Sequence, residues 1–184
     1  RLAEATGRAV WLSRAGQTAD ALLALFRDPD DDLLFTTGHD SERLVARQKD
    51  LLDGATPSAN SMAAVGLARL GALTGENGYV DAADAILRRL GELATRHPMS
   101  FAHLLAAADL TADAQEVVVT GDRGDLVAAV QSRYLPRTVV AWGERTASPL
   151  WEERPDDGRA YVCEGYTCQL PVDSVDALVA QLSG

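Results

Sequence analysis

Residues 47–75 read RQKDLLDGATPSANSMAAVGLARLGALTG, and the fold turns on how this stretch divides. The first half is polar and turn-forming, with Asp53-Gly54 and Pro57-Ser58 as turn signals. Residues 58–74 then carry a single charge, Arg69, and predict a helix. Pro57 suits a helix start, and Gly75 suits the position after a helix end. A helix apolar on every side belongs in a core. Ala59, Ala63, Ala64, Gly66, Ala68, Gly71 and Ala72 make it rich in small side chains. Each interior glycine costs about 1 kcal/mol of helix propensity against alanine. Gly66 and Gly71 therefore predict that neighbouring backbones approach closely. The reading is a polar loop that feeds the first turn of a buried helix.

Working downstream, residues 79–96 predict a second helix of different character. Tyr79, Ala83, Ile86, Leu87, Leu90, Leu93 and Ala94 share an apolar face, and Asp81, Asp84, Arg88, Glu92 and Arg96 lie opposite. His97-Pro98 stops it, and residues 99–108 predict a third helix with no charge before Asp109. Buried, amphipathic, buried, with short loops, is the order a two-layer helical toroid needs, and an ordinary helical bundle also produces it. Upstream, residues 2–26 have helical composition, with Gly16 as the expected divider into two helices. Pro29 and the acidic run around it end that segment. Residues 33–37 predict a short extended run, and Ser41 a cap for a short helix over 42–48. The tail changes class. Residues 116–120 and 138–142 read as strands around a helix at 124–134, which is a parallel unit with a right-handed crossover. A polar loop over 147–158, a third strand at 159–163 and a closing helix at 174–182 follow. The expected division is helices over 1–112 and a small α/β element over 113–184.

The chain has 184 residues and a formal net charge of -10, which argues against nucleic acid or anionic membrane as a main partner. No apolar run reaches the ~18 residues of a membrane span, no signal peptide is visible, and two cysteines are too few for a disulfide framework. A cytoplasmic location is the default expectation. Arg1 is not an initiator methionine and opens on helical periodicity, so the expectation is the C-terminal piece of a longer protein.

Arg47, Lys49-Asp50, Asp53-Gly54-Ala55, Pro57-Ser58, Asn60-Ser61, Leu70, Leu73-Thr74-Gly75 and Tyr79, with Tyr134-Leu135-Pro136, Ala160-Tyr161-Val162-Cys163, Cys168 and Pro171 near the end, carry a resemblance. The chain resembles the C-terminal part of the spermatogenesis-associated-protein-20-like family, the thioredoxin-domain-containing proteins of YyaL type. The likeness spans about the whole chain, and it departs from the family at Ala59, where Gly is expected. It implies a mainly α fold, part of an (α/α)6 toroid of the six-hairpin-glycosidase kind with a small C-terminal α/β element. It also implies that an N-terminal thioredoxin-like domain and the first part of the toroid are missing partners. By analogy of fold, the function is expected to be carbohydrate-active or sugar-binding. The competing expectation is a non-catalytic scaffold or redox-partner docking module for the thioredoxin-like domain. No cofactor is implied.

Three stretches offer chemistry. In the polar loop, Arg47, Lys49, Asp50, Asp53, Ser58, Asn60 and Ser61 supply donors and acceptors suited to a sugar-like small molecule, with Asp53 a base if burial raised its pKa. The plainer reading is an Asx-turn at Asp53, Ser58 in the helix's first turn and Arg47 paired with an acid. Cys163 and Cys168 form C-x4-C, not the redox C-x-x-C. They read as core thiols, as a candidate redox pair or disulfide, or as metal ligands if His39, His97 or His103 folded close, and no metal is expected. Residues 119–125, VTGDRGD, have a strand-turn-helix form that binds phosphate elsewhere, but Asp122 and Asp125 would repel an anion, so an ordinary turn is expected.

Overall fold

A computed structural model describes residues 1–42, 45–165 and 167–182. About half of the chain is helical, and a small mixed sheet of four strands is confined to its C-terminal part. Residue contacts divide it into two compact units: one comprises Arg1–Ser13, Ala72–Gly75 and Asp113–Gly184, the other Arg14–Gly71 and Glu76–Ala112.

The N-terminal helical segment consists of α1 (Leu2–Thr6) and α2 (Ala9–Phe26). The break falls at Gly7, not at the expected Gly16. Gly7 adopts a left-handed φ of 66°, and a Cβ there would lie 2.9 Å from the Trp142 ring, so the position admits no side chain. Gly16 keeps helical backbone, because nothing there demands a turn.

In the second unit, α3 (Ala59–Thr74) and α4 (Asn77–Arg96) match the two expected helices to within two residues at each end. Burial on α4 follows its pattern: Ala82, Ala83, Ile86, Leu90 and Ala94 are inside, and Asp81, Arg88, Glu92 and Arg96 outside. Leu93, expected on the inner face, is 42% exposed. The uniformly apolar helices differ more from expectation. On α3 a stripe of Ala59, Met62 and Gly66 is open, with Met62 53% exposed. The third helix, α5 (Ala102–Ala112), buries Leu104, Ala107 and Leu110 but leaves Ala102, Leu105 and Ala106 exposed, and Pro98–Ser100 forms a separate 3-10 turn. A helix without a polar face gives no sequence signal for which side meets a neighbour. Of the extended run expected over 33–37, Leu34 and Phe35 make single antiparallel bridges, to Arg27 and Lys49, and the chain bends at Thr36 and Thr37. Part of the expected helix over 42–48, namely Arg43 and Leu44, lies outside the described residues, and the described remainder of that segment is not helical.

The other unit is built on the sheet, in the order β2-β1-β3-β4, from β1 (Gln115–Val119), β2 (Thr138–Trp142), β3 (Ala160–Glu164) and β4 (Thr167–Cys168). β1 and β2 are parallel and are joined through α6 (Gly124–Gln131), as the strand-helix-strand reading predicts. β3 returns antiparallel to β1, and β4 antiparallel to β3. Strand alternation divides the core in two. Val117, Val119, Ala160 and Val162 pack against Leu126, Val127 and Val130 of α6 and Leu178 of α7 (Val175–Leu182). On the other face Val118, Val139, Tyr161 and Cys163 pack with Leu73, Leu150 and Trp151. The last two belong to a 3-10 turn, Pro149–Trp151, inside the segment expected to be only a polar loop.

Candidate functional site

Each of the seven candidate residues of the polar loop is tied to the protein's own backbone or charges, five of them at the start of α3 and Arg47 and Lys49 against residues 25–37. Asp53 is central. One carboxylate oxygen accepts the Ser58 N–H at 2.8 Å and the other accepts the His103 N–H at 2.7 Å. Ser58 precedes α3 and His103 lies in the first turn of α5, so one side chain satisfies donors at two helix N-termini. Burial alone would raise the Asp53 carboxyl. The hydrogen bonds from Ser58, Ser61, His103 and Leu104 outweigh it and hold the pKa below the usual carboxylate value. This is the opposite of what a general base would need. Asp50 adds a bond from the Ala59 N–H at 3.1 Å, and Ser58 Oγ accepts the Ser61 N–H at 3.1 Å in N-cap fashion.

Asn60 is fully buried and fully used. Its amide oxygen accepts the Leu34 N–H at 2.8 Å, and its NH2 donates to the Leu34 carbonyl at 3.0 Å and the Asp50 carbonyl at 2.9 Å. The side chain thus pairs with the extended run as a neighbouring strand would. Lys49 reaches Asp28 at 2.5 Å and Asp31 at 2.6 Å, and the hydrogen bond from Lys49 leads the causes that lower the Asp28 carboxyl. Arg47 donates to the Thr37 carbonyl and stacks over the Phe35 ring at 4.0 Å, with Lys49 over the same ring at 4.7 Å. The arginine expected to find an acid therefore takes carbonyls and a ring, and the neighbouring lysine takes two acids. Sequence reasoning missed these partners, Asp28, Asp31 and Leu34, because the contacts span 18 to 26 positions.

Cys163 and Cys168 face each other across β3 and β4, with Cα atoms 3.9 Å apart and the sulfurs bonded. The guanidinium of Arg154 donates to both, at 3.2 Å to Cys163 Sγ and 2.8 Å to Cys168 Sγ. Nothing in the sequence flags Arg154, one basic residue in a polar loop. No group of three or more His, Cys, Asp or Glu able to hold a metal ion occurs among the described residues. The turn after β1 is closed to anions: Asp156 accepts the Gly121 N–H at 2.5 Å, and Arg123 grips Asp125 with two bonds and holds its carboxyl down at about 2. Among the described residues no helix is long and apolar enough to cross a membrane.

The α2 and α3 helices also leave an open groove of about 560 Å³. Leu22 and Phe26 line one side, Met62 and Gly66 the other, and Leu34 and Phe35 one end.

No family model matches the chain. It is similar to Spermatogenesis-associated protein 20 of Homo sapiens, at 30% identity over an alignment 190 positions long with gaps, and to the proteins of that name from Rattus norvegicus and Mus musculus, at 28%. The similarity takes in 93% of this chain and 24% of each relative, so the chain spans about a quarter of the length of the curated relatives it matches.

Proposed function

We propose that this chain is a non-catalytic scaffold segment of a helical α/α array, and that its α2–α3 groove receives a helix from the part of such proteins that lies outside the matched quarter. The observation that carries the reading is the commitment of the polar loop. Asp53, Asn60, Ser58 and Lys49 spend their hydrogen-bonding capacity on two helix starts, an extended run and two acids, which leaves little to orient a sugar hydroxyl. The groove is the complement of that brace. It is mostly apolar, and Gly66 sits in it with nothing within 4 Å of where a Cβ would be. A glycine in a helix interior is unfavourable by itself, and an incoming helix backbone gives it a purpose.

Two measurements test this. Expressed alone, the chain should bind an apolar fluorescent dye and self-associate, and Met62→Glu should reduce both. A monodisperse, dye-negative monomer by light scattering would remove the groove from the argument. Saturable binding of a monosaccharide or oligosaccharide, lost in Asp53→Asn while the fold persists, would restore the sugar-binding reading instead.

A further inference from the structure

The second cluster of chemistry in the molecule lies on the sheet and does not depend on the scaffold reading. Cys163 is 1% exposed and packed among Val118, Tyr161 and Trp151, whereas its partner Cys168 is exposed on β4. Only four residues separate them, so the bond's loop-closure contribution to folding falls at the low end for disulfides. A purely structural staple would be poorly placed here. The loop before β3, by contrast, is organised to hold a cation on the two sulfurs. Arg154 donates through Nη1 to the Pro149 and Leu150 carbonyls and lies over the Tyr161 ring at 5.4 Å, while Nη2 points at the sulfurs. Arg145 fixes the same backbone by donating to the Arg154 carbonyl at 2.6 Å and the Trp151 carbonyl at 2.8 Å. Among the described residues Arg154 makes no carboxylate ion pair, and the carboxylate whose charge acts on it is that of Glu116, which faces Cys163 in the β1–β3 register.

We propose that Cys163 and Cys168 form a reversible thiol–disulfide exchange site whose reactant is an external dithiol, with Cys168 as the sulfur attacked and Arg154 as the positioning residue that stabilises the Cys163 thiolate. A reductant thiolate attacks the exposed Cys168 Sγ. A new S–S bond forms there, the Cys163–Cys168 bond breaks, and its electron pair leaves on Cys163 Sγ beside the guanidinium. The reductant's second thiolate then attacks its own sulfur in the mixed disulfide and expels Cys168 as thiolate. Two electrons pass from the dithiol to the protein, the reductant departs as a disulfide, and the cysteines take up the two protons. Exchange is faster when the leaving thiol has the lower pKa, and an adjacent arginine lowers it. The guanidinium reaches both sulfurs, so exposure sets the direction: attack falls on the exposed Cys168 and the buried Cys163 departs beside the cation.

The test follows opening of the bond in the full chain by dithiothreitol, read by mass after alkylation. Arg154→Gln should slow opening at neutral pH by roughly an order of magnitude, and Arg154→Lys should recover most of the rate. In the reduced protein one thiolate should form below the ordinary cysteine value of about 8.5, by ultraviolet absorbance against pH. Iodoacetamide should label Cys168 before Cys163. An unchanged rate in Arg154→Gln, no thiolate below that value, or first labelling of Cys163 would each overturn the proposal. If Arg154→Gln does not fold, the titration and the labelling order in the unsubstituted protein decide the matter.

Discussion

At Asp53, one carboxylate holds the first turns of α3 and α5, and the consequences are measurable. Asp53→Ala leaves two helix-terminal N–H groups without their charged acceptor and should lower stability by about 2–3 kcal/mol in urea denaturation. Asp53→Asn keeps the size but turns an NH2 toward one of those donors, so it should recover less than half of the loss. The pH dependence has a definite sign. The native carboxyl lies below its ordinary value, so its stabilisation is complete above the unfolded value near 3.8 and is lost as pH falls through the lower native one. Asp53→Ala should therefore flatten the acid limb of the stability curve. Tyr79 works in the opposite direction. The hydrogen bond its hydroxyl donates to Asp20 at 2.8 Å, helped by burial, pushes its pKa up to about 12. That contribution is complete below the unfolded value near 10 and fades as pH rises through the native one. Phenolate absorbance should show one tyrosine titrating late, and Asp20→Asn should bring it back toward the others.

Among the elements, α3 has two glycines that sequence alone cannot tell apart. A Cβ on Gly71 would meet Val80 Cγ2 at 2.5 Å and the Val80 backbone nitrogen at 3.2 Å, whereas one on Gly66 meets nothing within 4 Å. Gly71→Ala should destabilise by about 1–3 kcal/mol through overpacking. Gly66→Ala in the isolated chain should be neutral or stabilising by up to about 1 kcal/mol, since it restores helix propensity without a clash. Thermal melts of the two variants should move in opposite directions, and equal losses would mean that both glycines are closely packed. The expectation of close approach at both positions was thus legible in composition but correct inside the chain only at Gly71. The same division runs through the other elements. α4 and the β1–α6–β2 unit are legible because polar residues mark their outer faces or β-branched runs mark their strands. The break at Gly7 is not, because the Trp142 ring that forbids a side chain there comes from 135 positions away. The two-residue β4 exists through pairing with β3, and the turn Pro149–Trp151, although started by a Ser148 cap and Pro149, is fixed by burial of Leu150 and Trp151 against the sheet. At the candidate site, Asp53, Ser58, Asn60 and Ser61 could be found from their turn chemistry, but their role as a brace depends on Leu34 and His103, which no spacing rule reaches.

For the molecule as a whole, net charge and the open groove act against each other. At neutral pH a formal charge of -10 weakens, without abolishing, the association that the apolar surface of Leu22, Phe26 and Met62 favours. The charge vanishes near the sequence isoelectric point of about 4.7. The carboxylates held down by their partners, Asp28, Asp53 and Asp125, still carry their native charge there, because their protonation belongs to lower pH. The fold should therefore be intact at the pH where repulsion between copies is least. Light scattering should show association rising as pH approaches that point, with an unchanged far-ultraviolet circular dichroism spectrum. Adding salt at neutral pH should move the system the same way by screening the charge. Met62→Glu should weaken the association at both conditions, since it places a charge in the groove without touching the buried face of α3. Loss of helical signal in step with association would assign the effect to acid unfolding, and an unaltered response in Met62→Glu would assign it to a surface other than the groove.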